Sequence, residues 1–304
     1  MVKAVLSVAL LMGVLTACGS GSDSSAELPS SGILVSSNQT GNWEVFILNP
    51  ASSIVNQVTR EAGYRPDLDA EVLGLDFEPA WSPDGQQIAL VTDRRAAQEL
   101  FIVGRDGSVI ERLVNAGKGV GEPDWSPDGT QISFRGDMSG DPELYVIDVN
   151  GSNLRQLTYS PGEDWTPSWS PDGTHLAFAS RRSNGSWDIF TMRSDGSEIS
   201  QLTNDSWDNY LPDWSPDENR IAFASNRNGN WDIFTMGLGE SSVRQITDNP
   251  ANDIEPVWSP DGTQLAFASI RGRQGQGWEV FLVDIDGGQP LGTAQMGYPN
   301  DWID

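Results

Sequence analysis

Read for chemistry, the sequence offers one recurrent acidic position. Asp76, Asp164 and Asp253 each stand three residues before a proline, at Pro79, Pro167 and Pro256, and Asn209 holds the same place before Pro212. Val120 and Met296 take it in two further copies. Gathered at the mouth of one channel, such carboxylates could bind the basic end of a peptide or a cation, with Ca²⁺ the cofactor they suggest because it favours several oxygen ligands. The metal candidates are therefore Asp76, Asp164 and Asp253, although short acidic side chains can also cap their own loops. Nearby, Trp165, Trp207, Tyr210 and Tyr298 could anchor a partner or pack within the fold. Asp208 and Glu255 complete the candidate binding face.

Catalysis meets a shortage of parts. His175 is the sole histidine and Cys18 the sole cysteine, and a Ser-His-Asp or Cys-His arrangement needs more context than they supply. A carboxylate pair could serve a glycosidase, but none stands out. Asp284-Ile285-Asp286-Gly287 looks like a calcium loop and lacks the remaining ligand spacing. A second set of acids, Glu44, Glu99, Glu143, Asp188, Asp232 and Glu279, recurs with arginines Arg94, Arg182, Arg227 and Arg271 across what reads as one hairpin. Repeated ion pairs or bonds to backbone N–H groups are expected there. Because the acids repeat, they read as architecture, and no enzyme is expected.

The elements that must position these residues follow from a pentapeptide. Trp-Ser-Pro-Asp-Gly, or a close edit, begins at Trp81, Trp125, Trp169, Trp214 and Trp258, at intervals of 44 or 45 residues, and one more interval reaches Trp302. A period of about 40 to 45 residues built from short strand patterns signals a β-propeller. Within Thr166 to Thr203, an apolar strand A meets the Ser-Pro-Asp-Gly turn. Leu176 to Ser180 then alternates as strand B, Asn184-Gly185 turns into strand C at Trp187 to Met192, and Asp195-Gly196 leads to strand D. Strand C carries an aromatic at Phe46, Phe101, Tyr145, Phe190, Phe234 and Phe281, and strand B offers Val35, Leu90, Phe134, Phe178, Phe223 and Phe267. With the periodic tryptophans these should fill the space between blades.

Five tryptophans open complete four-strand sets. The fragments left over, Ile33 to Thr59 at one end and Tyr298 to Trp302 at the other, match strands B, C, D and strand A of a sixth blade. The all-β expectation is thus a six-bladed propeller over residues 31–304, closed by joining both chain ends. Glu61 to Phe77 contains an insertion, expected as a surface loop. Glu218 replaces a turn glycine, and Asn219 beside it is the expected carrier of any positive φ.

The 304 residues carry a formal charge of −25, with Lys3 and Lys118 the only lysines, which excludes nucleic acid as a partner. Residues 1–17 read as an export leader, too short in its apolar run to remain as a membrane span. Leu15-Thr16-Ala17-Cys18 resembles the bacterial lipobox, which implies lipidation of Cys18, and Gly19 implies outer-membrane retention facing the periplasm in a diderm. Residues 18–30 then form the lipidated cysteine and a flexible tether.

The run Pro-x-Trp-Ser-Pro-Asp-Gly, an Ile-Ala-Phe-Ala-Ser-like strand, Arg, Asp-Ile-Phe and Gln-Leu-Thr, seen in Pro167 to Thr203 and Pro212 to Thr247, is similar to the WD-like repeat of TolB-type propellers. The resemblance implies a six-bladed propeller of the cell envelope, here without the N-terminal α/β domain of TolB, for which the tether leaves no room. It implies a membrane-tethered, monomeric scaffold that binds an envelope protein or peptide and touches the membrane only through its lipid anchor. A glycan or peptidoglycan binder, or a carboxylate-based carbohydrate enzyme, are the alternatives.

Overall fold

The computed structural model describes residues 31–52, 54–59, 75–93, 98–114, 119–182, 185–239, 243–271 and 277–303. Cys18, the leader, the tether, Arg94 and most of the Glu61–Phe77 insertion lie outside them. The described residues form 24 strands and no helix, arranged as six antiparallel sheets of four. Strand A runs over Asp76–Trp81, Val120–Trp125, Asp164–Trp169, Asn209–Trp214 and Asp253–Trp258 in blades one to five. In blade six Tyr298–Ile303 serves as strand A and pairs with Gly32–Ser37, so the two ends of the chain close the ring.

The pentapeptide makes its own turn. In blade one the Ser82 hydroxyl donates to Asp84 Oδ1 (2.7 Å), accepts the Gln87 N–H (2.9 Å) that starts strand B, and the Ser82 carbonyl accepts the Gly85 N–H (2.8 Å). The same bonds recur at Ser126, Ser170 and Ser259, and the serine hydroxyl, first among the causes, holds Asp84, Asp128 and Asp261 below the usual carboxylate range. In blade four the left-handed turn residue is Glu218 itself, φ 61°, rather than Asn219. The Ser215 and Asp217 bonds are the same there, so the shared turn network fixes the position that must be left-handed, and Glu218 carries the strain.

The tryptophans of the motif are buried in blades one to five. Trp125 Nε1 donates to the Ala80 carbonyl (3.1 Å) and Trp258 Nε1 to the Asp213 carbonyl (3.2 Å), tying blades two and five to the blades before them. Strand B and strand C rings stack within a blade, as in Phe178–Phe190 at 5.7 Å. Phe134, Phe178, Phe223 and Phe267 are fully buried, and the core is spread over clusters shared by neighbouring blades. At about 25 cal/mol per Å², the large area each aromatic buries makes these repeated rings strong contributors to the core, beside the aliphatic side chains of strands B and C.

Candidate functional site

Strand A faces the axis and carries an irregularity: Glu78, Glu122, Thr166, Leu211 and Glu255, each just before the strand's proline, all adopt φ of 52–57°. Each bulge shifts the pairing register with strand B. For residues with a Cβ this conformation costs about 1–2 kcal/mol each, and all five line the central channel, a cavity of about 120 Å³.

Two tiers of polar side chains face this channel. In the first, the Glu78 N–H donates to Ser36 Oγ (3.1 Å), the Glu122 N–H to Glu78 Oε2 (2.8 Å) and the Thr166 N–H to Glu122 Oε2 (3.0 Å). The chain of bonds ends at Thr166, which is 6% exposed and whose Oγ1 has no hydrogen-bond partner. In the second tier, aspartates precede the motif tryptophan in blades two, four and six. Asp124 Oδ2 accepts the Trp169 N–H (2.7 Å), Asp213 Oδ2 the Trp258 N–H (2.8 Å) and Asp301 Oδ2 the Trp81 N–H (2.7 Å). Blades one, three and five have Ala80, Ser168 and Val257 at this position, so the acids alternate around the ring. Burial pushes Asp213 up to about 7 and Asp301 up to about 6. Asp124 is raised well above its usual value, by burial first and then by the charge of Asp301.

The acids singled out from the sequence lie at the first residue of strand A, one step away from the channel tier. Asp76, Asp164, Asn209 and Asp253 are buried, and an arginine at the end of strand B covers three of these positions. Arg182 Nη2 lies 2.5 Å from Asp164 Oδ2, Arg227 Nη2 donates to Asn209 Oδ1 (2.8 Å), and Arg271 pairs with Asp253. Burial, above all, raises Asp253 even so. The arginines thus serve strand A rather than the strand C acids, as the sequence had suggested. Four of those acids accept from threonines just after strand D, Thr59 Oγ1 to Glu44 (2.5 Å), Thr158 to Glu143 (2.5 Å), Thr203 to Asp188 (2.9 Å) and Thr247 to Asp232 (3.4 Å), while Glu99 pairs with Arg112 (3.2 Å) and Glu279 accepts the Ala294 N–H (2.9 Å), the ion pair and backbone bond expected of this set. Each threonine also accepts the next strand C N–H, as from Leu144 (2.9 Å). Among the described residues no three His, Cys, Asp or Glu side chains stand close enough to hold one metal ion.

One face carries the rest. The Asp164 N–H donates to the Pro142 carbonyl and the Asn209 N–H to the Trp187 carbonyl, which sets the D-to-A connections against the B-to-C hairpins of the preceding blade. There Trp165, Trp187 and Tyr210 cluster, with ring centroids 4.9–6.3 Å apart, and Tyr298 packs between Trp43 (5.7 Å) and Trp278 (5.6 Å). Asp208 is structural, its Oδ1 accepting the Trp187 N–H (3.0 Å). Glu255 lines the channel. Trp207 and Tyr159 are the exposed aromatics of this face, 46% and 76% accessible.

Arg135 is the departure that sequence reading passed over. It takes the strand B position held by Val91, Ala179, Ala224 and Ala268, and it fits because Gly121 opposite has no Cβ, which would meet Nη2 at 2.8 Å. Its guanidinium lies 4.5 Å from the Trp165 ring centroid and bonds Asp137 (2.9 Å). Burial works against its charge, yet Glu122, Glu78 and Asp137 together raise its pKa. The pairing of a lone glycine with a lone arginine was visible in the aligned repeats. So was the Asp-Trp dipeptide at Asp124, Asp213 and Asp301.

The family model described as the TolB beta propeller domain matches residues 66–210 and 201–300. The chain belongs to this family. No curated protein matches the chain in sequence. Among solved structures, this TolB-type propeller is similar to one from Agrobacterium tumefaciens assigned to TolB, at 25% identity and TM-score 0.71, covering 89% of this chain and 94% of that one. It is similar to TolB from Acinetobacter baumannii at 22% identity and TM-score 0.70, covering 89% of this chain and 65% of that one. An oligogalacturonate lyase from Vibrio parahaemolyticus, at 12% identity and TM-score 0.56 over 87% of this chain and 79% of that one, shares the fold alone. The TolB likeness agrees with the expectation of a propeller that is not an enzyme.

Proposed function

We propose that this TolB-type propeller is a lipid-tethered, extracytoplasmic scaffold that binds a protein of the cell envelope through the face formed by its D-to-A and B-to-C connections. The observation that carries the reading is where the repeat is broken. Trp165, Tyr210, Tyr298 and Arg135 differ from blade to blade and surround one channel mouth, with Trp207 exposed on the same face. Aromatic and arginine side chains of this kind are the usual anchors of protein interfaces. The opposite face is occupied by the repeated Ser-Pro-Asp-Gly turns, whose polar groups satisfy one another.

Cross-linked capture from the native envelope tests the reading. The wild-type chain should retain a partner that Trp207→Ala loses, while the two share one melting temperature. Equal capture by both would remove this face as the contact surface, and saturable binding of a soluble glycan that needs Trp207 would favour a sugar ligand instead. The tether has its own test: Cys18→Ser should leave the membrane fraction and lose lipid labelling.

A further inference from the structure

We propose that the central channel seats a primary ammonium group, supplied by a lysine side chain of the protein partner. This rests on the protein-binding reading above and adds the chemistry of the contact. The repeats provide an internal control. Ala80, Ser168 and Val257 hold the same strand A position as Asp124, Asp213 and Asp301 on the same backbone, so the fold does not require an acid there. Three are nonetheless present, in alternate blades.

The hydrogen bonds these aspartates accept come from backbone N–H groups and, at Asp213, from the Ser168 hydroxyl. Mutual repulsion adds to the cost of burial, since Asp301 raises both Asp124 and Asp213. No lysine or arginine lines the cavity, while Glu78, Glu122 and Glu255 add further acids. Arg135 and Asp137 stand beside the Glu78 and Glu122 side of the ring, so the nearest cation already answers those acids. Buried charges are retained in proteins when something pairs with them.

A ligand for these acids must donate hydrogen bonds. Thr166, in the same lining, leaves a buried hydroxyl oxygen without a partner, and its lone pairs suit a donor. Among the described residues no three carboxylates are close enough for one metal ion, whose ligands would have to converge to about 2.3–2.6 Å. An ammonium carries three donors that reach about 2.7–3.2 Å and has no acceptor, so it can bond a carboxylate and the Thr166 hydroxyl of this lining without all three acids converging on one point. The cavity of about 120 Å³ exceeds the roughly 10–15 Å³ that a single water needs.

Full-length protein is titrated at pH 8 and constant ionic strength with n-butylammonium, with acetyl-Gly-Lys-Gly-amide and with its Nε-acetylated form, following melting temperature and calorimetric Kd. The ammonium and the lysine peptide should bind and raise the melting temperature, and the acetylated peptide should not. Asp213→Asn and Thr166→Val should each weaken binding at least tenfold while preserving the circular dichroism spectrum. Binding should also weaken at pH 5, where Asp213 and Asp301 hold protons. An equal effect from tetramethylammonium would reduce the result to charge screening and overturn the inference. So would a rise with Ca²⁺ alone, unchanged binding by both variants, or a lysine peptide that fails to bind while n-butylammonium does. Partner capture separates the two readings: capture lost in Trp207→Ala but kept in Asp213→Asn removes the ammonium seat and leaves the protein-binding reading standing.

Discussion

Replacing Asp213 by asparagine should make the unliganded propeller more stable at pH 8. Asp213 accepts the Trp258 N–H at 2.8 Å, and its pKa is pushed up to about 7 from 3.8, first by burial. The amide oxygen of asparagine can still accept that bond. A shift of about 3 units corresponds to about 4 kcal/mol at roughly 1.4 kcal/mol per unit, and solvent reaching the residue along the channel discounts this to about 2–4 kcal/mol. The sign follows from linkage. Between the unfolded pKa near 4 and the folded value near 7 the native state holds a proton that the unfolded chain has lost, so stability falls as pH rises through that window. Asp213→Asn removes this loss. At about 2–4 °C per kcal/mol for domains somewhat smaller than this one, calorimetry at pH 8 should show a gain of roughly 4–10 °C that shrinks towards pH 5. A variant less stable than wild type at pH 8, or a gain equal at both pH values, would refute the reasoning.

The same networks make further predictions. Thr158→Val leaves the Leu144 N–H and the Glu143 carboxylate without their shared hydroxyl, and urea unfolding should show a loss of about 2–4 kcal/mol; a loss under about 0.5 kcal/mol would count against the threonine network. Arg135→Ala exposes Glu78, Glu122 and Asp137 to one another and empties the space over Trp165, at about 3–5 kcal/mol by denaturant titration. Arg135→Lys should recover little of it, because a point charge cannot stack on the ring. Deleting Pro299 to Asp304 removes the strand paired with Gly32–Ser37 and the Asp301 bond to Trp81, so the melting transition should fall sharply, and an unchanged melt would contradict closure by the chain ends.

The fold could be read from the sequence because its signal is local and repeated: Trp-Ser-Pro-Asp-Gly makes its turn with residues inside five positions of one another, and five copies average away the ambiguity of any single strand. The site was harder, since its contacts cross between strands or blades. Asp164 looked like a rim ligand until the A-to-B register set Arg182 beside it. The strand C acids looked like partners for those arginines, yet Thr158 reaches Glu143 from 15 residues away through the C-to-D pairing. Glu218 shows the opposite limit, where a residue-type preference for Asn219 gives way to a turn whose geometry is fixed by its serine and aspartate.

The channel shows how a repeat acquires a site without losing its fold. The residue before each motif tryptophan contributes backbone to the strand A edge whether it is Ala80 or Asp124, so the position is free to vary at little structural cost. Alternation of acid and small residue turns six equivalent blades into a threefold ring, and the ring is destabilising by itself, because burial raises the pKa of all three carboxyls and the charge of Asp301 raises Asp124 and Asp213 further. Five left-handed residues around the same axis add about 1–2 kcal/mol apiece. Strain and charge concentrated where the repeat is otherwise most regular are what a site poised for a ligand looks like. The aromatic blade interfaces supply the surplus stability that lets the axis carry them.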